Sequence, residues 1–274
     1  MTTQTLERAV GLLRLLASAG AEGRRLADLH VDSGLTKPTV HRILDSLRNE
    51  GLVEQTGDTR RYRLGKELAV LGWSAGRTVY DLKDLAADEM AAVATETGDT
   101  SFLSIRTGNE AVCIDRQTGD YPVKAFTVEV GMRRPLGVGA TGVALLASLS
   151  DDKINNVLKL IEGPLGRYPN ASLRQIRDAV TAARATGYAL SEGLMVKGVR
   201  GVAVTILDGD RQPVAAIGMA SINDRMGPKR LPEIVRALKM YGNRIEQRIA
   251  AAESSRSHGS TRVVRGKAGS KMSR

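Results

Sequence analysis

Across the first fifty residues, apolar positions return every three or four residues, the period of helices with one buried face. Leu6, Ala9, Val10, Leu13 and Leu16 mark a first helix over 5–19. Leu26, Leu29 and His30 share a face of a second, which Gly34 ends, because glycine accepts the left-handed backbone that a sharp corner needs. Val40, Ile43, Leu44 and Leu47 stand at i, i+3, i+4 and i+7 and give a third. Thr36 is placed to cap that helix, and Pro38 falls in its first turn, where a missing N–H costs nothing. At 51–64 the sequence GLVEQTGDTRRYRL reads as two short strands around a Gly57-Asp58 turn. Helices followed directly by a basic hairpin are the parts of a winged helix-turn-helix over 5–66.

Farther along, the periods alternate. A linker helix is expected over 67–80, with Leu68, Leu71 and Trp73 prominent, and another helix over 81–97. Strands follow at 101–106 and 111–117 around Thr107-Gly108-Asn109, with a third at 123–130. Helices are expected at 140–149, 152–161 and 173–186, the last started by Ser172. Strands return at 188–190, 202–207 and 213–220, and a long helix over 228–252 closes the pattern. Strands and helices without regular alternation predict an α+β domain over 81–253 with a mostly antiparallel sheet. Residues 254–274 have no apolar period and are expected to be disordered.

Composition narrows the class. The chain has 274 residues, enough for two ordinary domains, and aromatics make up only 3% of it, so its cores must rest on Leu, Val, Ile and Ala. Cys113 is the single cysteine, which excludes an internal disulfide and fits a reducing cytosol. No apolar run approaches the roughly 18 residues of a membrane span, and the first residues lack signal-peptide shape, so a cytoplasmic protein is expected. The net charge of +10 is uneven. Residues 1–66 carry 11 Lys and Arg against 8 Asp and Glu, 67–253 carry 23 against 22, and 254–274 carry six against none. An excess at both ends of a near-neutral middle points to contact with a polyanion.

The third helix leaves Lys37, Thr39, His41, Arg42, Asp45 and Ser46 outside its apolar stripe. Lys and Arg reach guanine edges or phosphates, so Lys37, Thr39, His41 and Arg42 are the candidate groove contacts. Arg60, Arg61 and Arg63 of the hairpin are candidate backbone contacts. Three other motifs invite different chemistry. Gly72-Trp-Ser-Ala-Gly76 spells the nucleophile elbow of serine hydrolases and makes Ser74 an alternative catalytic residue. Only His30, His41 and His258 exist, however, and the one after Ser74 lies in the basic tail. Gly137-Val-Gly-Ala-Thr-Gly142 spells a dinucleotide fingerprint, but Pro135 is ill suited to the strand that must feed it. The glycine-rich helix entry still offers free N–H groups to an anion. One cysteine and three scattered histidines give no metal-ligand spacing, and no cofactor is expected.

GLTKPTVHRILDSLRNEGLVEQ and TRRYRLG in the N-terminal part resemble the IclR family of transcriptional regulators. GMRRPLGVGATGVALLASLS at 131–150, GYALSEGLMVKGVRGVAVTILD at 187–208 and RQPVAAIGMAS at 211–221 extend the resemblance to about 5–252. It implies a GAF-like effector-binding domain, a linker that helps pair subunits into a homodimer or tetramer, and a pseudo-palindromic operator on duplex DNA. It also implies a regulator, with repression as the expected sense, that senses a small organic acid. The pocket positions it carries over are Arg134, Leu136, Ala140, Thr141, Ser191, Gly201, Gly218 and Ala220. One polar version of the family site has an aspartate, a cysteine and two serines where this chain has Ser191, Gly201, Gly218 and Ala220. Fewer donors and more room favour a larger carboxylate, aromatic or branched.

Overall fold

The structure, a computed structural model, describes residues 2–74, 78–125 and 128–264. The chain divides into two compact units, Met1–Asp81 and Leu82–Arg274.

In the first unit, α1 (Thr2–Ala17), α2 (Leu26–Ser33) and α3 (Lys37–Asn49) enclose a core of Leu12, Leu16, Leu29, Val40 and Leu44. Gly34 ends α2 at φ 67°, the left-handed corner expected of it. Strands β1 (Val53–Gln55) and β2 (Tyr62–Leu64) pair antiparallel, and Tyr62 bonds in turn to Arg24, so the wing is laced to the start of α2. Two expectations need correction. Thr36 occupies the cap position of α3 without a side-chain capping bond, because its hydroxyl meets that of Thr39 at 2.9 Å. In α1 the buried residues are Leu12 and Leu16, whereas Leu6 is 66% exposed. The helix carries apolar residues on two faces, and only one of them fits against α2 and α3.

The second unit is built on a six-stranded sheet with every pairing antiparallel, in the order β5-β4-β3-β8-β7-β6. Its strands are β3 (Thr100–Thr107), β4 (Glu110–Thr118), β5 (Arg133–Pro135), β6 (Ala189–Glu192), β7 (Val199–Leu207) and β8 (Pro213–Ile222). On one side, α6 (Ala140–Ala147), α7 (Asp151–Leu165) and α8 (Leu173–Thr186) pack through Leu136, Val143, Leu146, Leu158 and Ile176. Ser172 starts α8 as expected, accepting a bond from the Gln175 N–H. On the other side, α5 (Thr78–Thr97) and α9 (Leu231–Val264) contribute Met90, Val93, Leu238 and Ile245 around Leu103, Ile206 and Ile217 of the strands.

The structure revises three boundaries. The strand expected at 123–130 is absent among the described residues of that segment, and Val123 and Val130 lie exposed. The edge of the sheet is taken instead by β5, where Pro135 is tolerated because it ends an outermost strand. The linker region contains α4 (Glu67–Ser74), and residues 75–77 of the expected helix lie outside the described residues. Helix α9 runs past Ser254 to Val264, into the segment expected to be disordered. The Ser254 hydroxyl bonds back to the Ala250 carbonyl, and no proline interrupts the following turns. Residues 265–274 of that expectation lie outside the described residues. Among the described residues no helix is long and apolar enough to cross a membrane.

A buried carboxylate ties the end of α5 to the approach to α9. The Asp99 side chain, 1% exposed, accepts hydrogen bonds on one oxygen from Ser221 Oγ and Arg225 Nε, both at 2.8 Å, and its other oxygen forms an ion pair with Arg230 Nη1 at 2.7 Å. Both arginines also donate to the Thr97 carbonyl, where the last turn of α5 lacks helical partners. Asp99→Ala leaves two cations against a surface shaped for a carboxylate. Urea unfolding should show a loss of about 3–5 kcal/mol, and a loss under 1 kcal/mol would contradict the assigned role.

Candidate nucleic-acid interface and effector pocket

Burial of Val40, Ile43, Leu44 and Leu47 sets how α3 is rotated, so its polar face turns outward. Lys37 and Arg42 are exposed there, and their side chains have no bonding partner among the described residues. His41 Nδ1 lies 2.9 Å from Asp45 Oδ2, and Arg48 Nη2 holds the other oxygen at 2.9 Å, so Asp45 fixes both neighbours on the same face. Thr39 is half-buried, its hydroxyl directed to Thr36.

The three wing arginines do not behave alike. Arg61 is half-buried and donates to the Gly23 carbonyl at 3.0 Å. Arg63 spans the hairpin to Glu54 with bonds of 3.2 and 3.0 Å. Arg60 alone of the three is exposed without a side-chain partner among the described residues, on a left-handed backbone at φ 51°. Sequence reasoning missed this division because the partners, the Gly23 carbonyl 38 positions away and Glu54 across the hairpin, are set by the fold and the strand register rather than by local sequence.

In the second unit a pocket of about 470 Å³, mouth included, opens where the start of α6 meets the sheet. Seven of the eight expected positions line it: Arg134, Ala140, Thr141, Ser191, Gly201, Gly218 and Ala220. Leu136 does not. It is fully buried in the core among the side chains of α6, α7 and α8, and its backbone N–H bonds to the Asn109 carbonyl. The remaining wall is mostly apolar and includes Phe102, Val128, Met195, Val196, Val199 and Met219. Phe102 pairs directly with Gly218 across β3 and β8, so strand register would have found it. Met195 and Val196 lie in an irregular loop that offers no such signal.

Glycines let α6 approach this closely. A Cβ on Gly218 would stand 2.8 Å from Thr141 Cγ2 and 2.9 Å from the Val202 carbonyl oxygen. One on Gly201 would meet Ala140 Cβ at 3.4 Å, and one on Gly139 would meet Met195 Sδ at 3.1 Å. The small residues at 201 and 218 are therefore more than lost polar groups; they are the floor on which the helix rests. The first turn of α6 then has N–H groups at Ala140 and Thr141 with no acceptor within the helix, on the pocket wall.

Around that turn stand the polar groups. Arg134 is 6% exposed, and its guanidinium meets the sulfurs of Met195 and Met132. Burial lowers its pKa to about 10. Ser191 is buried and its hydroxyl has no partner among the described residues. The Thr141 hydroxyl is held by Ser104 Oγ at 3.1 Å. Cys113, on β4, is buried and pushed up to about 11 by desolvation, an inert thiol rather than a nucleophile.

The competing motifs fail on context. Ser74 is the last residue of helix α4 and does not follow a strand, and its hydroxyl bonds back to the Val70 carbonyl at 2.9 Å. The glycines at 137–142 follow a three-residue antiparallel edge strand, which is not the strand of a βαβ unit. Among the described residues no group of His, Cys, Asp or Glu is placed to hold a metal.

Comparison with known proteins agrees with this arrangement. The model of the IclR helix-turn-helix domain matches residues 5–57, and that of the bacterial transcriptional regulator IclR C-terminal domain matches 77–247. The glycerol operon regulatory protein of Streptomyces griseus is 31% identical over 239 residues, 86% of this chain and 92% of that one. The crystal structure of an IclR transcriptional regulator from Alicyclobacillus acidocaldarius is 25% identical with a TM-score of 0.69, covering 91% of this chain and all of the other. An IclR homolog from Microbacterium hydrocarbonoxydans, solved in complex with 4-hydroxybenzoate, shares the fold at 22% identity and a TM-score of 0.69, over 89% and 98% of the two chains. The matched families are transcriptional regulators rather than enzymes, which removes the hydrolase alternative. With two family models covering most of its length, the chain belongs to the IclR family of bacterial transcriptional regulators.

Proposed function

We propose that a two-fold dimer of this chain binds a pseudo-palindromic operator and represses transcription until a carboxylate effector occupies the second unit. The observation that carries the DNA reading is the outward pair Lys37 and Arg42, exposed and without partners on the face of α3 opposite its buried stripe. Lys37, His41 and Arg42 reach base edges or adjoining phosphates, Thr39 lies beside them, and Arg60 meets the backbone from the wing tip. Arg61 and Arg63 hold the wing in shape and act on DNA through that shape. The exposed Leu6 and Val10 of α1 are suited to cover by a second subunit. Repression is the simplest consequence of a dimer seated where polymerase must pass.

For the effector, the pocket lining combines a few polar groups, Arg134, Thr141 and Ser191, with a mostly apolar wall. A carboxylate beside the Ala140 and Thr141 N–H groups also reaches Arg134 and Ser191, and would raise the Arg134 pKa back from about 10. Phe102, Val199 and Met219 suit an aromatic or branched body. The homolog solved with 4-hydroxybenzoate, an aromatic carboxylate, supports the same class here. The effector biases the paired DNA-binding heads only by as much as its affinity differs between their two arrangements.

Genomic fragments selected by the purified protein supply the operator. On it, Arg42→Ala should weaken specific binding by about 1–3 kcal/mol while changing random-duplex binding little. Equal losses on both would make Arg42 a phosphate contact. Calorimetric titration should give tighter binding for 4-hydroxybenzoate and branched monocarboxylates than for acetate or glyoxylate. Binding of the two-carbon acids alone would overturn the effector class.

A further inference from the structure

A second cavity lies in the same unit and shares no lining residue with the effector pocket. It is a cleft of about 1000 Å³, mouth included, between α6, the end of α8, strands β6 and β7, and α9. Part of its lining is made of small side chains, Ala144, Ala147, Ala183 and Ala203, which give it a low apolar wall.

Along the lining the charge has one sign. No aspartate or glutamate lines the cleft, while Arg211, Lys239 and Arg184 all do. Arg184 is committed to Asp151 and to the carbonyls of Ala147 and Leu149. Arg211 and Lys239 are not committed in that way. The Arg211 guanidinium has no partner among the described residues, and Lys239 Nζ has only the Thr186 carbonyl at 3.5 Å. Nearby acids are engaged elsewhere: Glu246 accepts the Leu207 N–H, Asp208 accepts those of Asp210 and Gln212, and Glu253 accepts that of Gly209. The Tyr188 hydroxyl and the Asn243 amide also line the cleft without side-chain partners among the described residues. Donors and cations thus line the cleft together with apolar side chains, and no carboxylate is among its lining residues.

We propose that this cleft is a second ligand site, taking a small organic anion whose flat apolar body lies on the alanine wall and whose carboxylate, sulfonate or phosphate meets Arg211 and Lys239. Asn243 and Tyr188 orient it by hydrogen bonds. The site does not depend on the effector assignment above, because none of these residues touches the first pocket.

The probe is 8-anilinonaphthalene-1-sulfonate, titrated by fluorescence into the full chain. Arg211→Gln with Lys239→Gln should raise its Kd at least fivefold. The pair Lys229→Gln with Arg236→Gln, equally cationic and exposed but outside the cleft, should leave it within twofold. Thermal melts establish that both doubly substituted proteins stay folded, as expected where no buried contact is removed. Absence of saturable binding to the unsubstituted chain would overturn the proposal. So would a Kd unchanged by Arg211→Gln and Lys239→Gln, or one raised equally by the control pair.

Discussion

The effector-binding unit depends on how near the first turn of α6 can come to the sheet. A side chain at 218 would clash with Thr141 and one at 201 larger than a methyl would crowd Ala140, so either would push away the helix turn that offers free N–H groups to the pocket. Because β7 and β8 are adjacent, with Gly201 opposite Ala220 and Gly218 opposite Ala203, the two glycines lie on a diagonal across the pair of strands, and both line the pocket at the helix start. Arg134 joins them from the far edge of the same sheet, on β5, which leads through Leu136 into the glycine-rich turn. Anchoring Leu136 in the core is what aims its neighbour Arg134 and the helix entry at one point. The site is thus a property of the sheet's packing more than of any single polar residue.

The same logic governs the first unit at smaller scale. The buried stripe of α3 fixes its rotation, and the lacing of Tyr62 to Arg24 fixes the wing. Gly23 makes that lacing possible, since a Cβ there would fall 2.4 Å from the Tyr62 carbonyl oxygen. Charges on the outer face are then sorted by what the fold has already used. Arg48, Arg61 and Arg63 serve the domain itself, leaving Lys37, Arg42 and Arg60 turned to solvent.

Much of this could be read from the chain before its fold was seen. Helical spacing located α1 to α3 and α8, including the Gly34 and Ser172 boundaries, because capping and turn chemistry are local. The edge of the sheet was misread, since the valines at 123 and 130 mimic a strand and only competition with β5 for the edge of β4 decides otherwise. The family resemblance supplied seven pocket positions, but the meaning of two of them changed. Gly201 and Gly218 read as lost hydrogen-bond donors in one dimension and as helix supports in three. Leu136 was misassigned because neighbours in sequence, one lining the pocket and one in the core, cannot be told apart where the strand gives way to a turn. The pairing of Arg61 with Gly23, 38 positions apart, has no local signal at all.

The most direct test of the glycine support is amide hydrogen exchange on Gly218→Ala compared with the unsubstituted chain. The added methyl should loosen the first turn of α6, so that exchange at the Val143 amide, bonded to the Gly139 carbonyl at 3.0 Å, speeds at least tenfold. Amides of α3 should keep their protection. Unchanged exchange at Val143 in a folded Gly218→Ala protein would contradict the account.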